Sequence, residues 1–413
     1  MKIAIIGAGI AGNTLAYYLH RDHEVTVFEA GTHIGGHTDT HHIRHGGEDF
    51  AVDTGFIVFN DRTYPHFTAL LEELGVASQP SKMSFSVRCD TTNLEYNGTS
   101  LNSLFAQRRN LFRPSFYRMV AEILRFNRES LELLPAGEEI PLAQYLSEKG
   151  YRQDFIDYYI IPMGSAVWST PAAQMMQFPA RFFVRFFHNH GMLSVNDRPQ
   201  WRTIQGGSSR YVLALTAGFA DRVRLNSPVA QVRRLKNSVR VLPLGGIEES
   251  YDWVFMACHS DQAMRMLKDP SKAEAEILSA ISYQENEVVL HSDVSLLPKR
   301  KLAWAAWNYH VSDQPRVAVT YNMNILQNLD AKPPLLVTLN HSEGIDPGKV
   351  IKRLRYHHPV YTPMGVLAQA RHAEISGFNR TCYAGAYWAN GFHEDGVSSA
   401  LAALAHFRAA NHA

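Results

Sequence analysis

The stretch Met1–Thr38, MKIAIIGAGIAGNTLAYYLHRDHEVTVFEAGTHIGGHT, decides the fold. Lys2–Ile6 is a short, apolar, β-branched run and reads as a buried parallel strand. Gly7-x-Gly9-x-x-Gly12 follows at once, and Asn13–His20 has helical character. Val25–Phe28 reads as a second buried strand, closed by Glu29. Gly7 permits the tight turn, Gly9 leaves room for a pyrophosphate at the backbone, and Gly12 lets the helix pack on the strand. The helix start, with Ile10 and Ala11, offers free N–H groups and a partial positive charge to the phosphates. Glu29, followed by Ala30, stands where a carboxylate accepts hydrogen bonds from a ribose. The stretch therefore predicts a strand–turn–helix that binds a dinucleotide.

A second glycine pair, Gly35-Gly36-His37-Thr38, comes just past the ribose acid and predicts a clasp on the phosphates from the far side. His37, His41, His42 and His45 lie in a polar loop. That placement suits a solvated loop better than a metal site, whose ligands sit on rigid elements with supporting partners. No metal is expected. The chain has 413 residues, enough for two joined domains with full cores, and a formal net charge of +1. A nonspecific phosphate binder needs a strong basic excess, so nucleic acid is not expected as a partner. Cys89, Cys258 and Cys382 are widely spaced and predict a reduced, cytoplasmic protein. The apolar start lacks the basic region and cleavage site of a signal peptide, and no run approaches the roughly 20 apolar residues of a membrane span.

Further along, Ala51–Asn60 is strand-like but split by Gly55, before Phe56; the glycine allows close approach of a ligand or another backbone. Thr63–Gly75 predicts an amphipathic helix, and Met83–Gly98 a strand pair. Ser103–Leu134 carries Arg108, Arg109, Arg113, Arg118, Arg125 and Arg128 among apolar residues. Two readings fit it: contact with an anionic membrane surface through Arg108–Arg128, or an ordinary helix with solvated arginines. Ile160–Pro171 and Pro179–His190 are dense in aromatics and read as core or as a greasy substrate channel. Ser208–Phe219 reads as a helix; Val223–Leu225, Pro228–Leu235, Val239–Pro243 and Tyr251–Ala257 read as strands. Glu285–Leu296, Lys301–Val311, Val317–Asn322 and Leu335–Asn340 predict strands of a second sheet. Val397–Arg408 predicts a small-residue helix.

The segments GAGIAG, GGHT, DTGFIVFN, WNY, TYNMNILQNL, TLN and GFHEDG, spread over nearly the whole length, resemble a bacterial predicted NAD/FAD-binding family. That family lies within the flavin amine oxidase, protoporphyrinogen oxidase and phytoene desaturase superfamily. The resemblance implies an α/β fold: a Rossmann-like, GR2-type FAD-binding domain (1–80, 205–267 and 365–413) with an interleaved α+β substrate domain (81–204 and 268–364) containing a mixed or antiparallel sheet. It implies non-covalent FAD held by Gly7, Gly9, Ile10, Ala11, Gly12, Glu29, Ala30, Gly35, Gly36, His37, Thr38, Gly55, Phe56, Val229, Gly385, Phe392, Glu394, Asp395 and Val397. Relatives usually carry arginine where this chain has His37, so the clamp is weaker or comes from a neighbour such as Arg44. Amine oxidases place a lysine near the flavin on a roof strand; the Val288–His291 stretch has none, and Lys299 and Lys301 lie at a strand boundary. His291, Trp304, Trp307, Tyr309, His310 and Phe392 are candidates for the substrate side.

The expected activity is an FAD-dependent oxidoreductase taking a hydride from a C–H bond of a hydrophobic substrate, with dioxygen or another carrier as final acceptor. Relatives are fused to, or encoded beside, cyclopropane-fatty-acid-synthase-like methyltransferases, which with the greasy inserts points to a fatty-acyl chain, free or in a phospholipid. Three alternatives remain at this stage: a double-bond isomerase of unsaturated fatty acids, an amine oxidase, and a non-enzymatic flavoprotein partner of a lipid methyltransferase. The protein is expected in the cytoplasm, with the inner membrane face as a further contact.

Overall fold

The structure, a computed structural model, describes residues 1–135, 137, 139–194, 196–311 and 318–412. Its organising sheet has five parallel strands. Strand β1 (Lys2–Ile6) lies at the centre, flanked by β2 (Glu24–Phe28) and by Trp253–Met256. Val223–Arg224 and Thr381–Tyr383 form the edges. The register is set by burial on both faces. Ile3 and Ile5 point into a cluster with Leu15, Ala16, Ala400, Leu404 and Phe407. Ala4 and Ile6 point the other way, against Val254, Met256, Ile277 and Leu278. A strand covered on both sides must be apolar at every position, which is why Lys2–Ile6 does not alternate. Helix α1 (Ile10–Leu19) leaves β1 through the glycine turn and packs beside the long helix His393–His412.

A second, seven-stranded sheet lies over the first part of the chain. Its order is Val350–Val360, Ser282–His291, Leu336–Leu339, Ala318–Asn322, Trp307–Val311, Phe85–Cys89, Leu94–Asn97. All neighbours are antiparallel except Trp307–Val311 with Phe85–Cys89, which run parallel, so the sheet is mixed as expected. The predicted strand Val317–Asn322 appears as Ala318–Asn322; Val317 lies outside the described residues. The stretch Lys301–Ala303 is a short 3₁₀ turn, and the strand starts only at Trp307.

A helical insert spans Pro114–Asn189 and encloses an aromatic core of Phe126, Phe155, Phe178, Phe183 and Phe187. The aromatic-dense stretch Pro179–His190 forms helix Ala180–Asn189, with its apolar stripe facing that core. Within this insert the helical run passes through a π-turn at Ile156–Ile160, an irregularity common near functional sites. Among the described residues, no helix is long and apolar enough to cross a membrane.

Candidate functional site

The strands beside β1 diverge at their carboxyl ends, where an open parallel sheet forms its ligand crevice. Gly7 turns there with a φ of 107°, and an added Cβ would sit 2.5 Å from the Ala257 carbonyl oxygen. Gly12 is closer still: its Cβ would lie 1.9 Å from the carbonyl oxygen of Gly7. These two glycines are needed by the fold itself. Gly9 differs. Its φ of −76° and ψ of −174° suit any residue, and an added Cβ would meet nothing within 4 Å. Nothing in the chain requires a glycine at that position. The open space in front of Gly9 is the room that a pyrophosphate needs.

The opposite lip is the second glycine pair. Gly35 donates its N–H to the Ala8 carbonyl, and a Cβ on Gly36 would come within 3.1 Å of the Gly9 α-carbon. Glu29 ties the two lips together. One of its carboxylate oxygens accepts from the Ala8 N–H at 2.8 Å and the other from the Gly31 N–H at 2.7 Å. Beyond it the chain brings up Asn226 and Ser227: the Ser227 N–H donates to the Glu29 carbonyl and the Asn226 N–H to that of Gly31. Ala30 is exposed beside this loop, and Val229 is half-buried at the start of the next strand.

The C-terminal segment closes the crevice. An added Cβ on Gly396 would reach 2.6 Å from the Ile10 side chain, so the first turn of helix His393–His412 rests on the start of α1. Both Ile10 and Val397 are buried in one cluster with Phe56 and Tyr211. The join is made by His393, a residue not singled out in the sequence. Its Nε2 lies 2.9 Å from Thr38 Oγ1 and 3.0 Å from the Tyr211 hydroxyl, and its ring stacks on Phe56 at 3.6 Å. Burial holds this imidazole well below its ordinary pKa, so it is neutral at pH 7. Asp395 accepts from the Asn390 and Phe392 N–H groups, and burial pushes its carboxyl up to about 7. Gly385 donates its N–H to Ser399 on the same helix.

His37 points into a group of histidines from distant parts of the chain. Its ring centroid lies 5.6 Å from that of His358, 6.4 Å from that of His259 and 5.1 Å from that of Tyr356. Burial holds His37 at about 4, His259 at about 3 and His358 at about 3. All three are half-buried, and Nε2 of His37 is enclosed without a partner. An orphaned imidazole nitrogen beside an empty glycine cradle fits the anionic diphosphate of a dinucleotide. Among the described residues, no group of three or more histidines, cysteines or acids is placed to hold a metal ion.

Several sequence-based expectations need correcting. His291 is not on the crevice. It is fully buried, with Nε2 2.7 Å from the Thr338 hydroxyl and Nδ1 accepting from the Asp293 N–H. The strand Ser282–His291 pairs Gln284 with His358, which places His291 seven residues away, roughly 23 Å along the strand. Gly55 does allow a close approach, but of the chain itself: an added Cβ would meet the His37 carbonyl oxygen at 2.1 Å. Arg44 lies on the exposed side of the hairpin Thr40–His45/Glu48–Asp53 and does not reach the cradle. Both oxygens of Glu394 are engaged at the start of helix Pro65–Glu73, by the His66 and Phe67 N–H groups. Trp304 donates to the Pro298 carbonyl, Lys299 donates its N–H to Glu95, and His310 pairs with Asp90.

The remaining candidates occupy two walls. Trp307 and Tyr309 lie on one roof strand; Trp307 meets Tyr321 edge-on at 5.2 Å and its indole N–H is enclosed without a partner. Tyr309 packs on Ala166 of the helical insert. Phe392, at the other wall, stacks on Phe186 at 5.1 Å. Phe186 in turn stacks on His190 at 3.9 Å, and His190 on Trp201 at 6.0 Å.

With this geometry in place, the comparisons with known proteins are direct. The family described as "Flavin containing amine oxidoreductase" matches residues 10–318, most of the chain. The chain belongs to the flavin-containing amine oxidoreductase family. The chain is 22% identical over 325 residues to an L-amino-acid oxidase from Siganus canaliculatus, a match covering 70% of the chain but 56% of that relative. The chain thus spans little more than half the length of this curated relative. Its fold is shared with the cyclohexylamine oxidase of Brevibacterium oxydans (TM-score 0.73, 15% identity, 99% of each chain covered). It is shared also with a CLA-producing fatty acid isomerase from P. acnes (TM-score 0.68, 15% identity, 98% of each chain covered).

The cofactor of this family is FAD. The empty cradle at Gly9 and the unpartnered His37 Nε2 fit its diphosphate. Bound FAD supplies a two-electron acceptor. The N-terminus of helix His393–His412 offers a positive dipole end at the crevice, and such an end favours a reduced, anionic ring.

Proposed function

We propose that the chain oxidises a hydrophobic substrate, a fatty-acyl chain free or in a phospholipid, at a C–H bond, with dioxygen or another carrier as final acceptor. The observation that carries the reading is the wall beside Phe392. From Phe392 through Phe186 and His190 to Trp201 it is a continuous run of stacked rings. Burial holds His190 at about 4, so it is neutral at pH 7. The nearby acids are engaged: Asp395 holds the Asn390 and Phe392 amides, and Glu394 holds the start of helix Pro65–Glu73. A wall of neutral rings suits an alkyl chain, whose transfer from water is worth about 0.8 kcal/mol per methylene. It offers no free carboxylate to a substrate ammonium.

The chain's own residues then have plain tasks. The aromatic wall binds the chain and excludes water. The His393 link to Thr38 and Tyr211 holds the crevice shut at its N-terminal lip. Anaerobic mixing of the flavin-loaded protein with oleoyl and palmitoyl lipids, and separately with primary amines and L-amino acids, tests the proposal. Bleaching of the flavin band by the lipids alone supports it. Bleaching by amines with none by lipids sinks it. Loss of a substrate double-bond position without bleaching or oxygen uptake identifies isomerisation instead.

A further inference from the structure

Helix Pro114–Glu129 packs Phe116, Met119 and Phe126 inwards. Its outward stripe is Tyr117, Ala121, Leu124 and Arg128, at the i, i+4, i+7, i+11 spacing of one helix face, with exposed Arg118 beside Tyr117. An ordinary solvated face mixes both signs of charge, whereas this stripe alternates arginine with apolar residues and holds no acid. The preceding turn continues it. The Tyr117 hydroxyl donates to the Leu111 carbonyl, and the Phe105 ring lies 5.7 Å from that of Tyr117. Arg108 folds back on the Phe105 carbonyl, keeping its charge at the same place. Phe112 is 86% exposed and Leu101 77% exposed on this surface, with Leu124 at 52%. A cleft of about 170 Å³ lined by Leu94, Arg113, Phe116, Met119, Tyr158 and Asp154, the last paired with Arg152, opens among the same elements.

The charge balance says what covers this surface. Between Leu101 and Arg128 the chain has six arginines and one acid, Glu122. Glu122 faces the insert, where it accepts from the Arg152 N–H. Glu129 is held by Arg125, and Asp90 by Arg88 and His310. A second copy of the chain would set arginine against arginine across a two-fold axis. A nucleic acid would leave Phe112, Leu101 and Leu124 in water. An anionic bilayer satisfies both features, with arginines at the phosphates and exposed rings and leucines in the acyl boundary.

We propose that this face, from Leu101 to Leu131, docks the protein on an anionic membrane surface. The inference rests on the surface alone and holds whichever substrate the flavin site takes. Cosedimentation of the FAD-loaded protein with phosphatidylcholine vesicles, with and without phosphatidylglycerol, tests it. Binding to the phosphatidylglycerol vesicles, weakened by salt, is expected. One arginine near such a surface is worth about a factor of five, so the pair Arg118→Gln and Arg128→Gln weakens partition about 25-fold. Phe112→Ser weakens it further at unchanged charge, and an unaltered flavin spectrum shows that these variants fold. Equal binding to both vesicle types, or none to either, overturns the proposal. Retention on duplex DNA without vesicle binding, or a dimer abolished by Phe112→Ser, also overturns it in favour of those partners.

Discussion

Gly9 offers a separation of folding from cofactor binding that the neighbouring glycines do not. Its backbone angles are ordinary and an added Cβ touches nothing. Gly9→Ala should therefore leave the FAD-free protein as stable as before, or more stable by about 0.4–1 kcal/mol, because alanine narrows the unfolded ensemble. The added carbon nevertheless stands in the room left for the diphosphate, and the opposite lip at Gly36 already sits close to the Gly9 α-carbon. Overpacking a tight contact costs about 1–3 kcal/mol, which is about a 5- to 150-fold rise in the FAD dissociation constant. Gly9→Val belongs at the upper end of that range. Gly12→Ala is the contrast: its Cβ would lie 1.9 Å from a carbonyl oxygen, so the turn must move and the FAD-free protein must lose stability. The assay is thermal unfolding of each FAD-free variant beside a fluorescence titration with FAD. A Gly9→Val protein that binds FAD with unchanged affinity would refute the assignment of the cradle, as would a Gly9→Ala protein that melts as early as Gly12→Ala.

Other outcomes follow from the buried polar groups. His291 is fully buried and titrates at about 4, against about 6.5 when unfolded. The neutral ring costs nothing above pH 6.5, and stability falls as the pH drops from there towards 4, by about 2 kcal/mol between pH 7 and 5. His291→Gln should flatten that part of the urea-midpoint profile; an unchanged profile would count against a neutral ring. Asp53 is buried and accepts from Thr40, from the Ser208 amide and hydroxyl, and from Gln327. Asp53→Ala strands those neutral donors and should lower the unfolding free energy by about 1–3 kcal/mol for each one left unsatisfied, with Asp53→Asn costing less. His393→Phe keeps a ring against Phe56 but loses the links to Thr38 and Tyr211, so FAD should bind about tenfold more weakly, for about 1–2 kcal/mol of lost hydrogen bonding; unchanged affinity would remove His393 from the site.

What could be read from the sequence was whatever depends on neighbours along the chain. The turn Gly7–Gly12, the strand before it and the helix after it are local, and Glu29 follows from the length of one strand–helix–strand unit. The second sheet was legible as strands, but its register was not. His291 was misplaced because the pairing of Gln284 with His358 is set by two segments far apart in the chain. His259 and His358 join His37 only through tertiary contacts, and no spacing rule links residues separated by more than two hundred positions. His393 was hidden by its neighbours: a phenylalanine and two acids in the same motif drew the chemistry, while the histidine itself made the join. Gly55 showed that something approaches closely, but a missing side chain does not say what.

The crevice is assembled from both ends of the chain, and this has a consequence for synthesis. Lys2–Gly12 leaves the ribosome first, while its partners Val254, Tyr211, His393 and Gly396 follow by hundreds of residues. Until the last of these emerges, Ile10 and Phe56 lack their cover, and the glycine cradle between Gly9 and Gly36 has its two lips but no lid. FAD therefore cannot serve as an early template for this domain. Flavin fluorescence during translation should quench only once helix His393–His412 has cleared the exit tunnel.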